Sequence, residues 1–302
     1  MMKTTPLINS TISQALSLFV LLTFMVSCKE KPSSDQAPLV ENTPSKKEGV
    51  KVITFGLYTT DKATTVVEEF APTLEKLEAH LTKELQYPVD LQFKITSEYG
   101  KGIQYIEEGT VDFSRLGPAS FIIAKKRNPN LELLAMESKK GERVFNGIIA
   151  VHRDSDFKTI SDLKGHSFAF GDPLSTIGRY LSQAELLKVG LTHKDFSKYE
   201  YVGRHDTVGM AVAAGSYSAG ALKESTFKTL VENGEPIRAL MKFDNVTKPW
   251  VAHPKLDREV IAALRSGLLD METSSVSKDG FLTASEEYYA PVEEAMALSK
   301  DF

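Results

Sequence analysis

Two kinds of apolar pattern run along this chain. Near the start stands one predominantly apolar run, Ala15 to Val26. It is too short to span a bilayer comfortably and has the length of a signal-peptide core. From Lys29 to Gly49 bulky apolar residues almost vanish. Beyond that point short β-prone runs alternate with helical spacings. Val52 to Leu57 is β-prone, and Phe70, Leu74, Leu77, Leu81 and Leu85 then recur on one helical face with charges between them. Pro88 closes that helix, and Val89 to Ile95 alternates like a strand. Tyr99 to Glu108 predicts a short helix and Val111 to Leu116 another strand. The order β-α-β-α-β points to an α/β sheet with helical crossovers.

A second set of the same kind follows. Arg143 to Val151 predicts a strand, leading into a helical turn at Ser161 to Gly165. Phe168 to Phe170 is a strand, Asp172-Pro173 a turn, and Ser175 opens a helix with Tyr180, Ala184 and Leu187 on one face. Glu200 to Val202, a helix from about Asp206 to Ala214, and Ala219 to Leu222 continue the alternation. Ile237 to Phe243 and Trp250 to His253 are strands able to return the chain to the first set. The last helices use Val260, Ile261, Leu264 and Leu268, then Val292, Ala295 and Met296. The expected fold is therefore α/β and two-lobed, with two crossover strands. Residues 50–146 with 245–302 form one lobe and 147–244 the other, hinged near Gly147 and Asp244. Ligands of open α/β sheets bind outside the carboxyl ends of the strands, which places a ligand in the cleft between the lobes.

The N-terminal segment sets the expected compartment. Lys3 is the one charge before the apolar run, which ends in Met25-Val26-Ser27-Cys28. Small Ser27 before the only cysteine of the chain resembles a lipoprotein signal, with Met25 where leucine is usual. On that resemblance residues 1–27 are removed and the Cys28 thiol carries the lipid. A lone cysteine has no partner for an internal disulfide. Residues 28–49, rich in Pro, Ser, Lys and Glu, cannot bury enough surface to offset their ordering entropy and read as a tether. The expected location is the cell envelope, on the periplasmic side, anchored through Cys28. A formal net charge of −4 with no basic cluster argues against a nucleic-acid partner.

The candidate chemistry sits in two strand-to-helix turns. In FAFGDPLSTIG, Phe168 to Gly178, a strand ends at a Pro turn and Ser175-Thr176 stand where a helix begins. The first turn of a helix carries unpaired N–H groups and partial positive charge, a site for an oxyanion, and the two hydroxyls add donors. The simpler reading makes Ser175 a helix cap only. In Gly203-Arg204-His205-Asp206-Thr207 the next strand ends in the same way, placing His205 at a helix start. An imidazole there can donate to an anion. The simpler reading pairs His205 with Asp206.

Taken in order, FAFGDPLSTIG and then GRHDTVGMAVAAGSYSAGALKES resemble the phosphate-, phosphite- and phosphonate-binding subunits of ABC importers. Phe55-Gly56-Leu57 before a long helix, Ser97-Glu98-Tyr99 heading a helix, and Val111-Asp112-Phe113 before Gly117-Pro118-Ala119-Ser120 match the same family, so the resemblance spans about Val50 to Leu298. It implies a periplasmic-binding-protein-like fold of type II. It also implies that Ser175, Thr176, His205 and Tyr99 hold a tetrahedral oxyanion. Ile177 stands where many relatives have a third hydroxyl, leaving its backbone N–H, and Leu116 stands where relatives have an aromatic. Members that bind aminophosphonates pair the ligand ammonium with acids. Glu224 matches one such place, whereas Lys248 takes the other and would repel an ammonium, unless it pairs with Glu224 or lies in solvent.

The resemblance implies a solute-binding lipoprotein, a monomer working with permease and ATPase subunits at the membrane. The chain has no GxxxxGK[ST] phosphate loop of its own. A sensor module of the same fold is the alternative. An enzyme is disfavoured because HExxH and GxSxG are both absent and the lone cysteine lies in the export signal. No cofactor and no metal are expected.

Overall fold

The computed structural model describes residues 49–59, 63–271 and 279–302. The export segment, Cys28 and the tether up to Glu48 lie outside the described residues. The rest forms eleven strands and eight α-helices among the described residues, divided between two sheets.

The first sheet has the order β11-β4-β10-β3-β1-β2. It is built from β1 (Lys51–Tyr58), β2 (Val89–Thr96), β3 (Phe113–Arg115), β4 (Glu132–Glu137), β10 (Pro249–Ala252) and β11 (Phe281–Leu282). β1 pairs in parallel with β2 and β3, and β10 inserts antiparallel between β3 and β4. Helix α1 (Ala63–Leu85) supplies Phe70, Leu74, Leu77 and Leu81 to the core at the predicted spacing, and α7 (Arg258–Leu269) supplies Val260, Ile261, Leu264 and Leu268. The centre of this core is the fully buried Trp250, stacked on Phe55 at 4.6 Å and met edge-on by Phe281.

The second sheet has the order β7-β6-β8-β5-β9, from β5 (Val144–His152), β6 (Ser167–Phe170), β7 (Lys198–Tyr201), β8 (Ala219–Lys223) and β9 (Ile237–Val246). β6 runs parallel to β7 and β8, while β5 is antiparallel to β8 and β9. The chain passes between the sheets twice, at 138–143 and at 247–248. There the Thr247 amide donates to the Arg143 carbonyl and the Glu137 amide to the Lys248 carbonyl. Gly147 and Asp244, expected at the hinge, lie one step inside this crossing, within the β5–β9 ladder. Gly147 is small for a packing reason: a Cβ there would stand 2.3 Å from the Phe243 ring and 2.9 Å from Ile177 Cγ2.

The C-terminal helix α8 (Ala290–Leu298) packs on both halves. It contacts α3 (Pro118–Arg127) of the first half and α4 (Ser182–Lys188) of the second. Phe302 then stacks among Phe170, Phe196 and Tyr199 of the second half.

Candidate functional site

The carboxyl ends of β1, β3, β6, β7 and β8 converge on one cavity of about 140 Å³ between the sheets. Of the residues singled out from sequence, Tyr99, Ser175, Thr176, Ile177, His205 and Lys248 line it, as does Leu116.

The β6–α4 turn shows why its sequence reads GDPLSTIG. The Asp172 carboxylate accepts from the Leu174 amide at 2.7 Å, and the Asp172 carbonyl accepts from the Ser175 amide at 2.9 Å, closing a tight turn. Gly171 and Gly178 then pack backbone to backbone. The Gly171 amide donates to the Gly178 carbonyl at 2.7 Å, and a Cβ on Gly178 would stand 2.8 Å from Gly171 Cα. The first turn, Thr176–Leu181, is wide, with the Tyr180 amide reaching the Ser175 carbonyl five residues back. Such turns recur at functional sites. Ser175 is a cap, accepting from the Gly178 amide at 3.0 Å, and it also lines the cavity, so the two readings of it coexist. Thr176 Oγ1 accepts from the Ala119 amide of α3 at 3.0 Å. That bond joins the halves at the cavity and leaves the hydroxyl proton free to be donated inward.

Tyr99 heads α2 (Tyr99–Glu107) and stacks on Tyr58 at 4.3 Å. Tyr58, at the end of β1, bonds Ser120 Oγ at 2.8 Å and accepts from the Gly117 amide at 2.7 Å. Gly117 has room for no side chain, since a Cβ would stand 2.7 Å from the Tyr58 oxygen. Burial pushes both phenols above their ordinary range, so they stand as neutral donors.

His205 opens α5 (His205–Ala213). Asp206 is paired with Arg204 instead, so the simple His205–Asp206 pairing does not form. Buried Nδ1 of His205 has no hydrogen-bond partner among the described residues. Burial, then the charges of Lys223 and Lys248, push its pKa down to about 3. The imidazole is thus neutral at physiological pH, with one N–H to donate.

Sequence reasoning missed Arg115, Lys223, Tyr58, Asn245 and Glu69, all of which line the cavity. Arg115, at the end of β3, makes a two-pronged ion pair with Glu137, which also accepts from Trp250 Nε1 at 3.2 Å. Burial alone would raise the Glu137 carboxyl, but Arg115 holds it below the ordinary range. Lys223 ends β8, one residue before Glu224. Glu224 itself stands outside the lining. Its carboxylate is bonded to Asn146 at 3.1 Å, to Lys228 at 3.0 Å and to Lys242 at 3.5 Å. Lys248 therefore neither pairs with Glu224 nor stands free in solvent; it lines the cavity. Burial, followed by Arg115 and Lys223, brings its pKa down to about 7, against the pull of Glu137 and Glu69. Strand-end cations such as Arg115 and Lys223 carry no local motif. Their only signal was position at or just after the end of a predicted strand. Among the described residues no group of three or more His, Cys, Asp or Glu could hold a metal ion.

Comparisons with known proteins agree with this architecture. The model of the periplasmic substrate-binding proteins of phosphonate ABC transporters matches residues 55–293. The protein named "Probable ABC transporter phosphite binding protein PhnD1" of Prochlorococcus marinus is 24% identical over 265 residues, 77% of this chain and 87% of its own length. The phosphate-import protein PhnD of Mycolicibacterium smegmatis is 23% identical over 287 residues, 89% of this chain and 85% of its own. The solved structure of the Prochlorococcus protein in complex with methylphosphonate superposes with a TM-score of 0.71 at 20% identity, covering 83% of this chain and 99% of that one. The two-lobed fold is thus of the periplasmic-binding-protein type II, and the chain belongs to the family of periplasmic substrate-binding proteins of phosphonate ABC transporters.

Proposed function

We propose that this protein captures a phosphorus oxyanion, namely phosphate, phosphite or a phosphonate, in the cleft between its lobes and delivers it to an ABC permease driven by a separate ATPase. The observation that carries the reading is convergence. Tyr99, Ser175, Thr176 and His205 come from three separate segments, yet all line one cavity with neutral donors. The relatives named for phosphite and phosphate support the ligand class. The oxyanion is held by the Thr176, Tyr99 and Ser175 hydroxyls, the His205 N–H and the backbone N–H of Ile177. The chain binds and does not catalyse, acting as a monomer. It is tethered to the membrane by lipid on Cys28 after removal of residues 1–27. Residues 50–146 with 245–302 form one lobe and 147–244 the other, with α8 seated at their junction.

A thermal-shift screen with phosphate, phosphite, methylphosphonate and aminoethylphosphonate tests the ligand class. A ligand at a hundred times its Kd stabilises the native state by about 2.7 kcal/mol. For a body of this size that is a rise of roughly 5–10 °C in Tm. At least one phosphorus oxyanion should give such a rise. Cooperative melting with no shift from any of them at millimolar concentration would overturn the proposal.

A further inference from the structure

The charges around the cavity are arranged from one end to the other. On the facing edge of the second sheet, His205 follows β7, Ser175 and Thr176 follow β6, and Lys223 ends β8. Phe145 lies at the start of β5, and Asn245 and Lys248 stand at and just after the end of β9. The hydroxyls and the imidazole thus occupy the β6–β7 side, and the lysines the β8–β9 side. Adjacent strands lie about 4.8 Å apart, so β6 and β9, three places apart, are separated by roughly 14 Å. Lys223, on β8 beside β6, and Lys248, beyond β9, stand along that span on the side away from β7.

The lysine end is not neutralised by the protein. Arg115 is matched by Glu137, but among the described residues no carboxylate oxygen lies within 4.0 Å of the Lys223 or Lys248 ammonium. Glu69 is the single acid among the lining residues, against three cations.

Building on the phosphorus-oxyanion reading above, we propose that the ligand carries a second anionic group, a carboxylate or a second phosphoryl, attached to the phosphorus-bearing chain and held by Lys223 and Lys248. The first anion sits with Thr176, Ser175, Tyr99 and His205; the second reaches toward the β8–β9 side. Burial, and then the Arg115 and Lys223 charges, hold Lys248 at about 7 before ligand arrives. An anion between Lys223 and Lys248 offsets those effects and restores the Lys248 charge.

Calorimetry tests this with methylphosphonate, phosphonoacetate, methylenediphosphonate and aminoethylphosphonate on the wild type, Lys223→Gln and Lys248→Gln. Phosphonoacetate or methylenediphosphonate should bind at least about tenfold more tightly than methylphosphonate, and which one leads identifies carboxylate or phosphoryl. Each glutamine variant should lose most of that advantage while its affinity for methylphosphonate changes less than about threefold. At pH 7.5, titrations in buffers of different ionisation enthalpy should show more proton uptake with phosphonoacetate in the wild type than in Lys248→Gln. Arg115, Glu137, Lys223, Glu69 and His205, which face Lys248, are common to both proteins. The proposal falls if methylphosphonate binds as tightly as the dianionic ligands, or if aminoethylphosphonate binds tightest, which would make Glu69 the distal partner. It also falls if the glutamine variants weaken methylphosphonate as much as phosphonoacetate, since the lysines would then serve the first phosphoryl group. Binding of none of the four would bring down the phosphorus reading itself, a result distinct from all of these.

Discussion

Replacing His205 with Ala isolates the site's most exposed piece of reasoning, because the imidazole has no structural partner to lose. Its buried Nδ1 is unpaired among the described residues, and an unpaired buried polar atom costs a fold about 1–3 kcal/mol. Removing the ring relieves that cost while sacrificing some packing, so the unliganded Tm should move by no more than a few degrees. The loss should appear in binding. A hydrogen bond to a charged acceptor is worth about 1.5–3 kcal/mol, which at 1.36 kcal/mol per decade is about ten- to a hundredfold in Kd. The depressed pKa adds a second signature. Starting near 3, the imidazole remains neutral from pH 6 to 8 even when a bound anion draws it up by about two pH units. The ratio of wild-type to His205→Ala affinity should therefore stay flat from pH 6 to 8, unlike that of a histidine titrating near 6.5. Calorimetry with the tightest phosphorus ligand at several pH values reads both quantities. Full affinity in His205→Ala would refute the assignment, and a ratio falling about tenfold across that window would refute the neutral-donor mechanism.

Other substitutions test separate parts of the account. Gly178→Ala forces a methyl group against the Gly171 backbone, so it should cost about 1–3 kcal/mol and lower Tm by roughly 3–10 °C, as read by a thermal melt. Unliganded Lys248→Met should be more stable than the wild type at pH 6 by about 2–3 kcal/mol after allowance for partial exposure. The folded pKa of Lys248 lies below its unfolded value, so the unfolded chain binds more protons between about 7 and 10.5. Wild-type stability thus rises with pH through that window and the advantage of Met shrinks; denaturant titrations at pH 6 and 9 check the sign. Cys28→Ala should abolish incorporation of labelled palmitate, and a wild type that takes up no label would remove the lipid anchor.

The elements that the sequence exposed were those with a simple period or a sharp punctuation. The one-sided stripe of α1 and the Pro turn of FAFGDPLSTIG are local signals, and both lie where expected. Helix α3 escaped because Pro118, Ala119, Ser120, Phe121, Ile122 and Ala124 are all buried, so the helix has little polar face to set a period. The wide turn after Ser175 was also invisible, since one extra residue in a turn depends on how Gly178 meets Gly171 across the fold. The need for a glycine at 147 was not legible either, since it comes from the Phe243 ring packed across the β5–β9 ladder. Within the site, the hydroxyl and imidazole positions were legible because each opens a helix. Arg115 and Lys223 were not, because a single cation at a strand end looks the same whether it faces solvent or a cavity. Glu224 shows the converse. At the start of α6 (Glu224–Glu232) it turns toward Asn146, Lys228 and Lys242, and its neighbour Lys223 takes the cavity.

The most direct test of the central claim is a crystal structure of the protein grown with saturating methylphosphonate. Phosphorus density should lie between the lobes, with its oxygens within about 3 Å of the Thr176 hydroxyl, a His205 ring nitrogen and the Tyr99 hydroxyl, at ordinary hydrogen-bond length. Phosphorus bound anywhere else, or a cleft holding none at saturating concentration, would contradict the account.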